Sequence, residues 1–204
     1  MTHEDDEGVT LIELTVSLMI MSVMLTMFTT AALQMYRAAN KSESVASAQA
    51  DLNVVFLRLD KIVRYASWIS DPQQVGVKHD IRMLTTTSSD GQRCYGLKVT
   101  GGTASRLLIT EWNPDDLNSR PTAAEFALDG RIWTTLANDV TAPGSEKPFE
   151  RVPADSVQNF DRLQLRLEAT KGSNESRTKS DTNVRFTALN TSLARSSTDL
   201  CPLR

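Results

Sequence analysis

Residues 9–33 read VTLIELTVSLMIMSVMLTMFTTAAL, an uninterrupted apolar run with a single formal charge, Glu13. As a helix the run is long enough to cross a hydrocarbon core of about 30 Å, so this part of the chain is expected to enter a bilayer. An ordinary secretory signal has a basic front, a shorter apolar stretch and a small-residue cleavage site behind it. Here residues 1–8, MTHEDDEG, carry four carboxylates and no Lys or Arg, and the glycine, Gly8, stands before the apolar run. An uncleaved signal anchor would account for the length of the run but for neither Gly8 nor Glu13.

A carboxylate at membrane depth costs about 2.5–3.5 kcal/mol on insertion scales, so its presence marks a partner. Cleavage after Gly8 would create one. The new α-amino group of Val9 would lie four residues before Glu13, one helical turn away on the same face. That amine, or the amine of a neighbouring copy, would neutralise the carboxylate.

Gly8, the hexapeptide VTLIEL at 9–14 and the apolar tail closely resemble the class III signal of type IV prepilins and type II secretion pseudopilins. In that signal a glycine precedes the cut and a glutamate occupies the fifth mature position; Val9 stands where the family usually carries Phe. The acidic leader looks more like those of Gram-positive or actinobacterial members. The resemblance implies cleavage between Gly8 and Val9 by a prepilin peptidase, N-methylation of Val9 and an assembly role for Glu13. It also implies other pilins or pseudopilins as fibre partners. The subunit would start as a single-pass protein of the cytoplasmic membrane with an extracytoplasmic head, and end in a cell-surface or envelope fibre. Many major pilins carry proline at the twenty-second mature position, which here is Thr30, so the resemblance points to a minor subunit. The segments LDKIVRYASWI (59–69), LANDV (136–140) with Pro148-Phe149 after it, and 186–190 are similar to J-type pseudopilins and W-type minor pilins.

From residue 34 the chain turns amphipathic: Val45, Ala48, Leu52, Val55, Phe56, Leu59, Ile62, Val63, Ala66 and Ile69 recur at spacings of three and four. No Gly or Pro occurs between Val9 and Asp71, which predicts one helix up to Asp71-Pro72. Thr26, Thr29 and Thr30 are places where a turn would loosen. Met19, Met21, Met24, Met27 and Met35 read as adaptable apolar packing, not as a metal or redox site. Residues 72–204 are broken by Gly, Pro, Ser and Thr around short alternating stretches, which predicts an antiparallel sheet. The expected strands are 81–84, 95–100, 106–111, 131–136, 162–169 and 183–190, with the polar stretch 170–182 as a long mobile hairpin loop. The fold class is therefore α+β: residues 1–8 a leader, 9–33 a membrane and assembly segment, 34–71 an amphipathic helix, and 72–204 a small antiparallel head laid on it.

Composition narrows the function. The 204 residues hold 22 basic and 25 acidic side chains, a net charge of −3. Without the four leader carboxylates the count is 22 against 21, or +1, which argues against a strongly charge-driven partner. Residues 162–204 hold eight basic and four acidic residues in interleaved order, a solvated face that gives a nucleic-acid partner little support. His3 and His79 are the only histidines, and no phosphate-binding glycine loop occurs. His79 lies between Lys78 and Asp80 in an expected loop with no Ser or Cys nucleophile motif, so no enzyme activity and no cofactor is expected. Asn113, Asp115, Asp116 and Asn118 surround Pro114 without the full calcium-loop series, which reads as a solvated turn. Cys94 and Cys201, the only cysteines, fit one disulfide in an exported domain at least as well as two buried thiols; the bridge is the expectation adopted. The opposing function is a single-pass membrane-anchored extracellular binding domain that keeps its uncleaved signal anchor.

Overall fold

The computed structural model describes residues 10–87, 91–102, 105–144, 146–171, 178–191 and 199–204. It divides into two compact units, Met1–Glu43 and Ser44–Arg204. One helix, α1 (Leu11–Arg64), supplies all the described secondary structure of the first unit and opens the second. The expected α+β class holds: a long, apolar N-terminal helix, with the distal part of that helix packed on antiparallel sheet.

In the first unit α1 is exposed along its whole apolar stretch, with Leu11, Met19, Phe28 and Met35 all more than 70% accessible. Five of the hydroxyls that interrupt this stretch are satisfied within the helix. Thr15 donates to the Ile12 carbonyl at 2.8 Å, Ser22 to Met19 at 2.8 Å, Thr26 to Val23 at 2.8 Å, Thr29 to Leu25 at 2.7 Å and Thr30 to Thr26 at 2.6 Å. These bonds lower the polar cost of burying those five side chains in lipid. The helix is long and apolar enough to cross a membrane.

In the second unit the three-and-four spacing of α1 places Leu52, Val55, Leu59 and Val63 in the core, with Phe56 and Ile62 at its margin. The side chain of Ala48 lies outside the described residues. Fully burying each such aliphatic side chain contributes about 1.5–3 kcal/mol. The helix stops at Arg64, seven residues before Asp71, although no breaker intervenes. Tertiary pairing ends it. Residues 65–69, YASWI, combine aromatic and β-branched side chains suited to a pleated surface, and β1 (Ala66–Ile69) aligns Trp68 with Leu84 and Ile69 with Met83 of β3 (Lys78–Thr87). The last carbonyls of the helix find outside donors: Leu189 N–H donates to Arg64 O at 3.0 Å and Asn190 Nδ2 to Tyr65 O at 3.3 Å. Ala66 and Ile69 are buried as the periodicity implied, but as strand residues.

Instead of one sheet the head has two. The larger orders β1, β3 (Lys78–Thr87), β4 (Gly91–Val99), β5 (Arg106–Trp112) and β6 (Thr134–Asn138), with β2 (Gln73–Val75) also on β3. Gly76, at φ +63°, sits in the two-residue turn between the paired Val75 and Lys78, a conformation glycine adopts without strain. The smaller sheet orders β10 (Thr178–Thr187), β9 (Arg162–Lys171) and β7 (Val140–Thr141), with β8 (Phe149–Val152) also on β9. Both sheets join α1 in one core that includes Ile81, Leu97, Ile109, Phe149, Leu165 and Phe186.

Three strand expectations need correction. The stretch 170–182 is mostly ladder: β9 and β10 stay paired out to Lys171 and Thr178, so the connection shrinks to residues 172–177, outside the described residues. Alternating Thr and Ser fit a ladder as readily as a loop once the partner strand is present. The 131–136 strand lies later, at Thr134–Asn138, and 183–190 ends at Thr187. Five-residue α2 (Ala123–Ala127) was not expected. Its signal is the box Thr122-x-x-Glu125, in which Thr122 Oγ1 accepts from Glu125 N–H and the Glu125 carboxylate accepts from Thr122 N–H.

Candidate functional site

Gly8 and Val9, where cleavage and methylation are expected, lie outside the described residues. Glu13 sits in the first turn of α1 and its N–H donates to Thr10 Oγ1 at 3.4 Å. Thr10 therefore caps the helix, and a carboxylate at Glu13 lies where the helix dipole favours negative charge. The sequence reading missed this cap, although Thr10-x-x-Glu13 has the capping-box spacing.

The second set lies on the face of the larger sheet turned away from α1. Cys94 in β4 and Cys201 near the chain end form the expected disulfide, 107 residues apart in sequence. It belongs to a cluster with Leu84, Trp112 and Phe126, flanked by Trp68, Trp133, Leu200 and Leu203. Gly96 makes this packing possible, because a Cβ there would meet the Phe126 ring at 2.7 Å. The C-terminal tail is pinned twice more. Arg82 donates to Cys201 O at 2.7 Å and Asp199 Oδ2 at 2.6 Å, and Arg204 N–H donates to Pro121 O at 2.9 Å.

Among the described residues Lys98 is the most deeply buried cation, 2% exposed, beside this cluster. Its ammonium donates to the carbonyls of Phe126 and Leu128, the latter at 3.2 Å, lies 3.5 Å from Asp129 Oδ1 and stands 4.1 Å from the centroid of the Trp133 ring. It thus serves the C-terminal carbonyls of α2 and ties that helix to β4. Burial lowers its pKa, and the Asp129 carboxylate opposes the shift. Asp80 is the cross-strand neighbour of Lys98. Burial raises the Asp80 carboxyl above 3.8, against the pull of Arg82 and Lys98.

A carboxyl raised in this way binds more protons folded than unfolded, so its contribution to stability declines as pH rises from 3.8 through the higher folded value. Asp80→Asn is therefore expected to melt above the wild type at neutral pH, with the difference vanishing near about pH 3. Thermal melts of both proteins across that range check it. A gap that is constant with pH would contradict the assignment.

His79 lies in β3, paired with Val99 and Gln74, and not in a loop as expected. Burial, then the neighbouring Lys147 charge, lowers its pKa. In the 113–119 turn, Asn113 Oδ1 accepts from Asp115 N–H and Asp116 Oδ1 from Asn118 N–H, each at 2.9 Å, while Arg120 clamps the Pro114 carbonyl. The oxygens serve the backbone, as the reading as a turn implies. Among the described residues no three His, Cys, Asp or Glu side chains converge as a metal would require. No protein-family model, curated protein or solved structure matches this chain.

Proposed function

We propose that this chain is a minor pilin or pseudopilin: a peptidase-processed, membrane-inserted subunit that helps to initiate or cap a type IV pilus-like fibre used for adhesion, DNA uptake or protein secretion. The observation that carries the reading is one carboxylate, Glu13, at the start of α1, followed by an uncharged apolar stretch, residues 14–36, that is exposed in the isolated chain. Such a surface requires lipid or other apolar helices around it. In the fibre, Glu13 of an incoming subunit neutralises the Val9 amine of a neighbour and sets the axial register in a low-dielectric core. The head is the displayed part, and the disulfide holds its C-terminal tail in place.

A second reading has an observation in its favour. Glu13 lies in the first turn of α1, where the helix dipole favours negative charge without a partner chain, which suits a single-pass anchored binding domain whose signal anchor is not cleaved. Glu13→Leu separates the two, because it removes the charge and keeps the apolar helix. The fibre reading predicts that incorporation and pull-down of partner pilins fall by about tenfold or more, as loss of an ion pair in an apolar core implies. Thermal melting of the head stays unchanged, since Glu13 belongs to the other compact unit. Wild-type incorporation and partner recovery in the Glu13→Leu strain would reject the fibre role.

A further inference from the structure

Within the second unit a groove of about 670 Å³ runs between the last turns of α1 and the larger sheet. Ile62, Tyr65 and Tyr95 give it apolar walls, and Arg58, Lys61 and Glu111 stand on its rim. Its charge is unbalanced. Burial and then the neighbouring Glu111 carboxylate raise the pKa of the Tyr95 phenol, while the Arg93 and Arg58 charges lower it. Arg58 and Lys61 form no ion pair among the described residues. The groove thus offers two unpaired cations beside aromatic and aliphatic surface, which fits an occupant with adjacent carboxylates and one apolar side chain.

The chain itself displays such an occupant. Asp115 and Asp116 are exposed and form no ion pair among the described residues, and Leu117 beside them is 61% accessible. Their turn is already ordered by the bonds from Asp115 N–H to Asn113 and from Arg120 to Pro114, so docking it costs little ordering entropy. It begins at Asn113, two residues after Glu111 on the groove rim, so donor and acceptor surfaces adjoin. Adjoining complementary surfaces are what a two-fold contact uses, each copy giving its turn and receiving the other's. We propose that the groove receives the Asp115-Asp116-Leu117 turn of a second copy of this chain, Leu117 packing against Ile62 and the tyrosines while the carboxylates face Arg58 and Lys61.

This contact does not depend on cleavage after Gly8, so it can fail or hold apart from the fibre reading. The test uses the full chain in detergent micelles, mixed from unlabelled and nitrogen-15-labelled material, with benzoylphenylalanine in place of Leu117. Light should give mixed-isotope crosslinks from residue 117 to the peptide containing Arg58 to Tyr65. Arg58→Glu with Lys61→Glu should cut their yield at least about fivefold, the scale of two exposed ion pairs. Adding Asp115→Lys and Asp116→Lys to that variant should restore the yield, which shows that neither set has merely unfolded the head. Crosslinks confined to single chains or attached elsewhere, a yield indifferent to the first reversal, or no recovery on the second would each overturn the proposal.

Discussion

Replacing Cys94 and Cys201 together by serine is expected to lower the stability of the head by about 4–5 kcal/mol, the chain-entropy value for a closed loop of about a hundred residues. The bond spans 107 positions, so the unfolded chain loses much of its freedom when it is closed. Its native role adds to this. Cys201 anchors a tail that covers Leu84, Trp112 and Phe126 and meets Pro121 ahead of α2. Without the tether the tail depends on Arg82 and two backbone hydrogen bonds with the Pro121 and Ala123 backbone. Denaturant titration of the full chain, oxidised and as the double serine variant, measures the loss. Hydrogen exchange should also accelerate at residues 199–204 before the rest of the head opens. A loss below about 1 kcal/mol would mean that the unfolded state is already compact and the bridge largely redundant.

Arg151→Met is the second large expected effect, a destabilisation of about 3–5 kcal/mol, typical of breaking a buried ion pair from one side. The Arg151 side chain is 4% exposed and that of Asp161 is 10%. Two guanidinium nitrogens donate to Asp161 Oδ2 at 3.0 and 2.6 Å, and a third donates to Asp71 Oδ1 at 3.1 Å. Asp161 Oδ1 accepts from Ala154 N–H at 2.8 Å. This network joins β8 of the smaller sheet to the link between β1 and β2 of the larger one. Methionine keeps the volume but leaves the Asp161 carboxylate buried without its cation. Adding Asp161→Asn removes that stranded charge while keeping an acceptor for Ala154, so the double variant should regain at least about half of the loss. If the double variant is as unstable as the sum of the single ones, packing and not charge is what Arg151 supplies.

The parts of this fold that were legible beforehand are those fixed by local pattern. The spacing from Leu52 to Val63 marks the buried face of α1, and the alternation at Leu163, Leu165, Leu167 and Ala169 marks the core face of β9, because burial on one side imposes its period on the residues. The end of α1 was not legible. Nothing in YASWI forbids a helix, and only pairing with β3, together with donors from Leu189 and Asn190, makes it strand. The same reason hid the ladder beyond Ala169, whose polar residues reveal no face until β10 lies beside them. At the candidate site Glu13 and the cysteines stood out by rarity, whereas Lys98 did not. A lysine in a strand reads as solvent-facing until α2 and Trp133 close over it.

The central claim is that the anchor is processed and becomes an assembly surface, and the mass of the mature chain tests it most directly. Protein recovered from the membranes or surface fibres of a host with its prepilin peptidase should lack residues 1–8 and begin at Val9. A single added methyl group should map to its amine, and two hydrogens should be missing for the Cys94–Cys201 bond. A mature chain that retains Met1 or Thr2 in the presence of active peptidase would contradict the account and leave the anchored binding domain as the reading to pursue.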